Sequence, residues 1–330
     1  MKRILTGIKP TGTPHIGNYL GAIQPALGLA KGQSALFFIA DYHALTAVKD
    51  PNKFRELSLQ VTAAWLACGL NPEDVIFYRQ SDIPQIFELY WILSCFAPKG
   101  LLNRAHAYKS LVDANRESGR HDDDTINMGI FNYPVLMAAD ILLFGADQVP
   151  VGSDQKQHVE IARDIADSVN HAYQKQLFVL PEPIIQKDQA LIPGIDGRKM
   201  SKNYDNVIPL FADEKTIRKR VMQIQTDSIP MADPKDYRVC NVFHLYQHFA
   251  SEEAIATRKA QYSQGGLGYG EIKKELAELI LAHFSACRST YDSYINAPQQ
   301  IEAILEEGAK KARQIASGTL SELKQCMGLL

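Results

Sequence analysis

The chain has 330 residues, with 35 Lys and Arg set against 37 Asp and Glu for a net charge of −2. That length predicts two domains, and the near-neutral balance excludes a generally basic nucleic-acid coat while leaving room for a local basic patch. No apolar run nears the roughly 20 residues that cross a bilayer, the N-terminus lacks a secretory h-region, and the five scattered cysteines form no CxxC pair, so a reduced, cytoplasmic protein without membrane contact is expected.

Residues 3–7 read as a short apolar strand, followed by a turn-rich loop at 9–14. Residues 17–30 carry Leu20, Ile23 and Leu27 at helical spacing, and 34–41 form a continuous apolar run of buried-strand length. Pro51 precedes a helix over 52–69 that Gly69 suits as a C-cap. A third strand spans 75–78. This β-α-β-α-β alternation predicts an α/β fold with a doubly wound, Rossmann-like parallel sheet. Ligands then belong at the carboxyl ends of the strands, here the loop after Leu5 and the segment Asp41-Tyr42-His43. Residues 82–180 are mostly helical by periodicity, interrupted by a polar, mobile loop at 116–124. From 213 onward only helical patterns recur, over 214–225, 252–261, 269–294 and 299–327. The predicted border between a catalytic α/β domain and a C-terminal all-helical domain lies near 205.

Two motifs are suited to phosphate chemistry, though alone the first reads equally as an ordinary βα turn with a surface histidine and the second as a solvated basic loop. Residues 10–18 (PTGTPHIGN) join strand one to helix one. A helix N-terminus attracts phosphate, Gly17 lets a ring approach the backbone, and His15 adds a donor. No GxGxxG follows the strand, which counts against a dinucleotide enzyme. Residues 197–203 (GRKMSKN) place Lys199 and Lys202 on a Gly-flanked loop, where they can clamp a polyphosphate and neutralise a leaving pyrophosphate. A third segment, residues 132–143 (NYPVLMAADILL), is an apolar helix whose one charge is Asp140. A buried carboxylate needs a donor, either from the protein or from a ligand such as an indole N–H or an amino group. Residues 149–158 (VPVGSDQKQH) follow; there Asp154 can accept from a helix's first turn or from a ribose hydroxyl.

The His-Ile-Gly-Asn and Lys-Met-Ser-Lys-Asn pair resembles the two signatures of class I aminoacyl-tRNA synthetases. With the Asp140 helix and the 149–158 stretch, the chain resembles bacterial tryptophanyl-tRNA synthetases over nearly its whole length. The resemblance implies ATP-dependent activation of tryptophan and transfer to tRNA(Trp). It places Asp140 on the indole N–H, with Tyr133, Met137, Val149, Val151 and Gln155 around the amino acid and His43 close by. It places Lys9, Pro10, Thr11, Gly17, Asn18, Gly152, Ser153, Asp154 and Leu191 at ATP, together with Lys199, Met200, Ser201, Lys202 and Asn203. Lys199, Lys202, Lys109 and His15 take the catalytic roles. Mg²⁺ enters with ATP and no protein metal site is implied; a homodimer is.

Some positions depart from the family. Ser and Gln are common where Thr6 and Lys9 stand, and Lys9 adds a positive charge facing the phosphates. Asn18 and Asn203 replace the histidine and serine that end the two signatures. Basic residues at Lys215, Arg218, Lys219, Arg220, Lys310, Lys311 and Arg313 are candidates for tRNA phosphates or plain solvated faces. A tyrosine-specific relative, a small nucleotidyltransferase and a non-enzymatic binding paralogue are the rival readings.

Overall fold

The structure is a computed structural model that describes residues 2–185 and 192–330. The chain opens with β1 (Arg3–Ile8), α1 (Ile16–Asn18), a π-helical turn (Tyr19–Ile23) and α2 (Gln24–Ala30). The helix expected over 17–30 is therefore continuous but locally widened. Pro25 has no N–H to close an i→i+4 bond, and the Gln24 N–H reaches back five residues to the Tyr19 carbonyl. Then come β2 (Ser34–Ile39), α3 (Asp41–Ala44), α4 (Pro51–Ala67) and β3 (Ile76–Arg79). Pro51 sits in the first turn of α4, and the Asp50 carboxylate caps the Lys53 N–H at 2.7 Å. A helical stretch follows: α5 (Gln85–Ser94), α6 (Lys99–Leu102), α7 (His106–Glu117), α8 (Met128–Phe131) and α9 (Tyr133–Leu143). The sheet resumes with β4 (Gln148–Pro150) and β5 (Glu182–Ile184), flanking α10 (Lys156–Ala172).

Among the described residues the five strands are all parallel, in the order β3-β2-β1-β4-β5. Side chains alternate across it with the strand period of two. Ile4, Phe37, Ile39 and Phe77 face one core, while Leu5, Leu36, Phe38 and Tyr78 face the other. The order reverses beside β1, so the crevice between β1 and β4 is the topological switch point.

The remaining helices are α11 (Glu214–Met222), α12 (Asn241–Tyr246), α13 (Glu252–Gln264), α14 (Tyr269–His283), α15 (Ser285–Asn296) and α16 (Pro298–Met327). The single pattern expected over 269–294 is two helices that break at the fully buried Phe284. α12, with six residues, is too short to show a helical period of its own. Arg116 and Glu117 belong to α7, not to the polar loop. The turn beyond is tied back to the helix by Asn115, which donates to the Asp122 and Asp124 carbonyls at 3.0 and 2.7 Å.

The helical half shares a core with the sheet, since Ile208, Leu210 and Ile217 pack in the same cluster as Ile4 and Phe37. α16 then returns along the β3 edge. Its Ile301 and Leu305 lie in one core and its Leu320 and Leu323 in the other, so it covers an otherwise open strand edge. A Cβ at Gly308 would fall 1.8 Å from the Phe77 carbonyl oxygen, so only glycine permits this crossing.

Candidate active site

A cavity of about 410 Å³ opens at the switch point, lined from β1, β4, α9 and α3. Asp140 lies at its buried end, 1 % exposed, on the α9 face that packs inward. Its partners are in the protein. The Gln80 amide nitrogen is 2.8 and 2.9 Å from the two carboxylate oxygens, and His43 Nε2 is 2.8 Å from Oδ2. Burial raises the Asp140 carboxyl, and the bonds from His43 and Gln80 pull against that rise.

His43, Tyr133, Met137, Asp140, Val149 and Val151 all line this cavity, as does Gln155. The Tyr133 ring packs 4.3 Å from His43 and 5.4 Å from His158, and the Lys9 ammonium lies 5.1 Å over it. Gln155 donates to Asp154 Oδ2 at 3.0 Å, while its carbonyl oxygen is 2.8 Å from His158 Nδ1. The His158 imidazole, depressed by burial to about 4, is therefore the neutral donor of that pair. A Cβ at Gly7 would come within 2.5 Å of the Phe38 ring, so glycine is required where the strand backbone meets that wall.

A second, more open cleft of about 770 Å³ adjoins the first and shares Lys9, Asn18, Gly152 and Asp154 with it. Here the two signature loops meet. The Gly17 N–H points at the buried Met200 sulfur at 3.2 Å. Ile16 N–H bonds the Ile208 carbonyl at 3.0 Å, and Leu210 N–H bonds the Pro14 carbonyl at 3.1 Å. Asn206, 1 % exposed, shapes the second loop: Oδ1 accepts from the Ser201 N–H at 2.7 Å, and Nδ2 donates to Asp196 and to the Lys199 carbonyl. Asn18 Oδ1 accepts from the His15 N–H at 3.1 Å, capping the first loop.

The cations of this cleft outnumber its carboxylates: among its described lining residues, Lys9, Lys199 and Lys202 share it with Asp154. The Lys202 ammonium bonds Thr11 Oγ1 as its stem passes over Gly12. Burial, then Lys9 and Lys53, bring it down to about 8. His15 is buried with Nδ1 unpartnered, and burial with the Lys202 charge depresses it to about 4, so it is neutral at pH 7. Burial also lowers Lys9, which Asp154 partly restores. Burial alone would raise Asp154, but the Gln155 amide and the Lys199 charge hold it low.

Thr11, His15, Gly17, Ser153, Lys199 and Ser201 line the same cleft, with Met200 and Lys202. Pro10 is buried in a tight turn, where Thr11 N–H bonds the Lys9 carbonyl at 2.9 Å. Asn203 faces an adjoining cleft with Lys9, Lys49, Lys53 and Lys202, and its N–H bonds Ser201 Oγ at 3.3 Å. Lys109 is exposed on α7 and lines neither main cavity. Leu191 lies outside the described residues. Four of the basic candidates are engaged internally: Arg218 with Glu278, Arg220 with Asp205, Lys310 with Glu307, and Arg313 with the Asp82 carbonyl. Among the described residues Lys215, Lys219 and Lys311 form no ion pair.

Sequence reasoning missed Gln80, Gly7 and Asn206. Gln80 had a usable signal, since it follows directly on β3, where a doubly wound sheet presents ligand-facing groups.

The class I tRNA synthetase family for tryptophan and tyrosine has a model that matches residues 1–285, and the chain belongs to that family. Tryptophan–tRNA ligase from Pseudomonas aeruginosa is 49% identical over 99% of this chain and 74% of its own length. The crystal structure of tryptophanyl-tRNA synthetase from Campylobacter jejuni, complexed with ADP and tryptophan, superimposes with a TM-score of 0.89 at 44% identity, covering 99% of both chains. The Mycoplasma pneumoniae tryptophanyl-tRNA synthetase gives a TM-score of 0.81 at 28% identity over 99% of this chain and 98% of that one.

Proposed function

We propose that the chain is a tryptophan–tRNA ligase that forms tryptophanyl-adenylate from tryptophan and ATP and passes the acyl group to tRNA(Trp). The observation that carries the choice of amino acid is Asp140, a buried carboxylate at the closed end of a largely apolar cavity. Such an acceptor suits an indole N–H enclosed by Tyr133, Met137, Val149 and Val151. Gln155 and His43 complete the polar side.

The tryptophan carboxylate, already ionised, attacks the α-phosphorus of ATP, and pyrophosphate leaves. No general base is needed, so catalysis rests on placement and on charge stabilisation. Lys199 and Lys202 neutralise the leaving pyrophosphate, and neutral His15 donates a hydrogen bond to the phosphates. The loop at Lys9, Pro10 and Thr11 holds the triphosphate, with Gly17 and Asn18 at the adenosine and Gly152, Ser153 and Asp154 at the ribose. Met200, Ser201 and Asn203 shape the second loop, and Leu191 contacts the nucleotide. Lys109 reaches the phosphates from α7 when the substrates close the site. Mg²⁺ comes in on the ATP phosphates, which suit it better than a cleft rich in ammonium groups.

The catalytic domain spans 1–205, and the helical domain from 206 to 330 binds tRNA, with Lys215, Lys219 and Lys311 free to meet phosphates. Trp91 and Met128 are 70% and 66% exposed, and the half-exposed Phe87 and Leu45 line one surface cavity with Tyr42 and Leu136. This apolar surface supports a homodimer. No helix among the described residues is long and apolar enough to cross a membrane. A cytoplasmic site of action suits an enzyme that charges tRNA and a chain whose five cysteines are all free. ATP–pyrophosphate exchange should depend on tryptophan and not on tyrosine; exchange driven by tyrosine would overturn the assignment.

A further inference from the structure

The Asp140 carboxylate is fixed by more than its own helix. Gln80 is fully buried and stands between two elements. Its carbonyl oxygen is 3.1 Å from the Tyr42 N–H, and its amide nitrogen is 2.8 and 2.9 Å from the Asp140 oxygens. A backbone N–H can only donate, so the Gln80 oxygen must face Tyr42 and its NH₂ must face Asp140. The residues carrying both ends are pinned in turn. The buried Asp41 carboxylate accepts from the Tyr42 N–H at 2.9 Å and the Ser81 N–H at 3.0 Å. Asp140 Oδ2 accepts from both Gln80 and His43, whereas Oδ1 accepts from Gln80 alone and retains a lone pair.

We propose that Gln80 is a positioning residue that sets selectivity for a substrate ring N–H, by locking the Asp140 carboxylate in the orientation that accepts from it. This rests on the reading of Asp140 as the indole acceptor. Without Gln80, His43 holds one oxygen only, and the carboxylate is free to turn. It also loses a donor that favours its charged form, and only the charged form leaves both oxygens as acceptors. The other groups facing Asp140 do not replace that donor. Tyr78 from β3 and Tyr133 from α9 are phenols that burial keeps un-ionised, and neither hydroxyl bonds Asp140 in the structure. Lys9 lies over the Tyr133 ring and forms no ion pair with Asp140.

The test compares tryptophan with β-(3-benzothienyl)alanine, which carries sulfur in place of the ring N–H, in pyrophosphate exchange from about pH 5.5 to 8.5. Gln80→Met should raise KM for tryptophan about tenfold, with kcat changed less than about threefold, and leave KM for the analogue within about twofold. The tryptophan KM of this variant should climb further as pH falls and Asp140 takes up a proton. Gln80→Glu, nearly isosteric, should behave in the opposite sense. Ionised, it repels Asp140; protonated at low pH, it donates again, so its tryptophan KM should improve as pH falls. Opposed pH trends at one position are not produced by a packing role. An equal rise in KM for both amino acids in both variants, with no opposed trend, overturns the proposal. Asp140→Asn run in parallel separates the two readings: if it too shifts both amino acids equally, the indole role of Asp140 fails; if it shifts tryptophan alone, only the role of Gln80 fails.

Discussion

The two adjoining cavities differ in how their polar groups are satisfied. In the amino-acid cavity Asp140, Gln80, His43, Asp41 and Gln155 are hydrogen-bonded to one another or to backbone before any substrate arrives. In the phosphate cleft burial and the charges of Lys9 and Lys53 lower the proton affinity of the Lys202 ammonium, while Asp154 partly offsets the burial of Lys9. The first arrangement is suited to selection: the bonds that hold Asp140 leave its Oδ1 with a vacant acceptor position and penalise a ligand that cannot fill it. The second is suited to catalysis, because unbalanced positive charge is stabilised by an anion, most of all by one whose charge is growing. On the proposed function, specificity and rate would rest on opposite treatments of charge in adjoining cavities.

The largest effect that would sharpen this contrast is expected in the cleft. Lys202→Ala should slow adenylate formation about 10²- to 10³-fold, while changing tryptophan affinity at least tenfold less; stopped-flow traces with equal losses in both would remove Lys202 from the transition state. In the cavity, Asp140→Asn should lower the preference for tryptophan over phenylalanine about a hundredfold, measured as the ratio of kcat/KM in exchange assays. Gly7→Ala should raise KM for tryptophan about tenfold, because the Phe38 ring is packed and cannot retreat freely. An unchanged KM would mean that the cavity is less rigid than its contacts indicate. The smallest effect is one of pH. Lys202 is cationic below about 8 and loses its charge as pH rises through that value, so pyrophosphate affinity of the free enzyme should weaken above it. Lys202→Arg should flatten that profile, and a wild-type profile without inflection would break the charge argument for the cleft.

Much of the fold was legible because its signals are local. The alternating elements announced the doubly wound sheet, and Pro51 with Gly69 framed α4 within two residues at each end. The longest helical pattern in the C-terminal half was less faithful. Phe284 is apolar and fits the helical period, so nothing in residues 269–294 alone reveals a break that burial of its ring imposes. The residues of the amino-acid cavity were nameable from motif segments, yet their pairings were not. The bonds from Gln80 to Asp140 and from Tyr42 to Gln80 join segments 60 and 38 residues apart. The basic residues show the same limit: Arg218 and Arg220 read as free cations until folding brings Glu278 and Asp205 against them.

By itself the sequence determined which groups are present and on what kind of element each would lie, since helical and strand periods and turn residues act over a few positions. It set Asp140 on an apolar helix and Lys199 and Lys202 on a glycine-flanked loop. Only the tertiary structure decided that Asp140 is held by Gln80 and His43, that the Gly17 amide meets the Met200 sulfur, and that α16 seals the edge of β3 across Gly308. The reason is that donor–acceptor matching and steric fit depend on distances between remote segments. Those distances exist only once the sheet order and its two cores have formed.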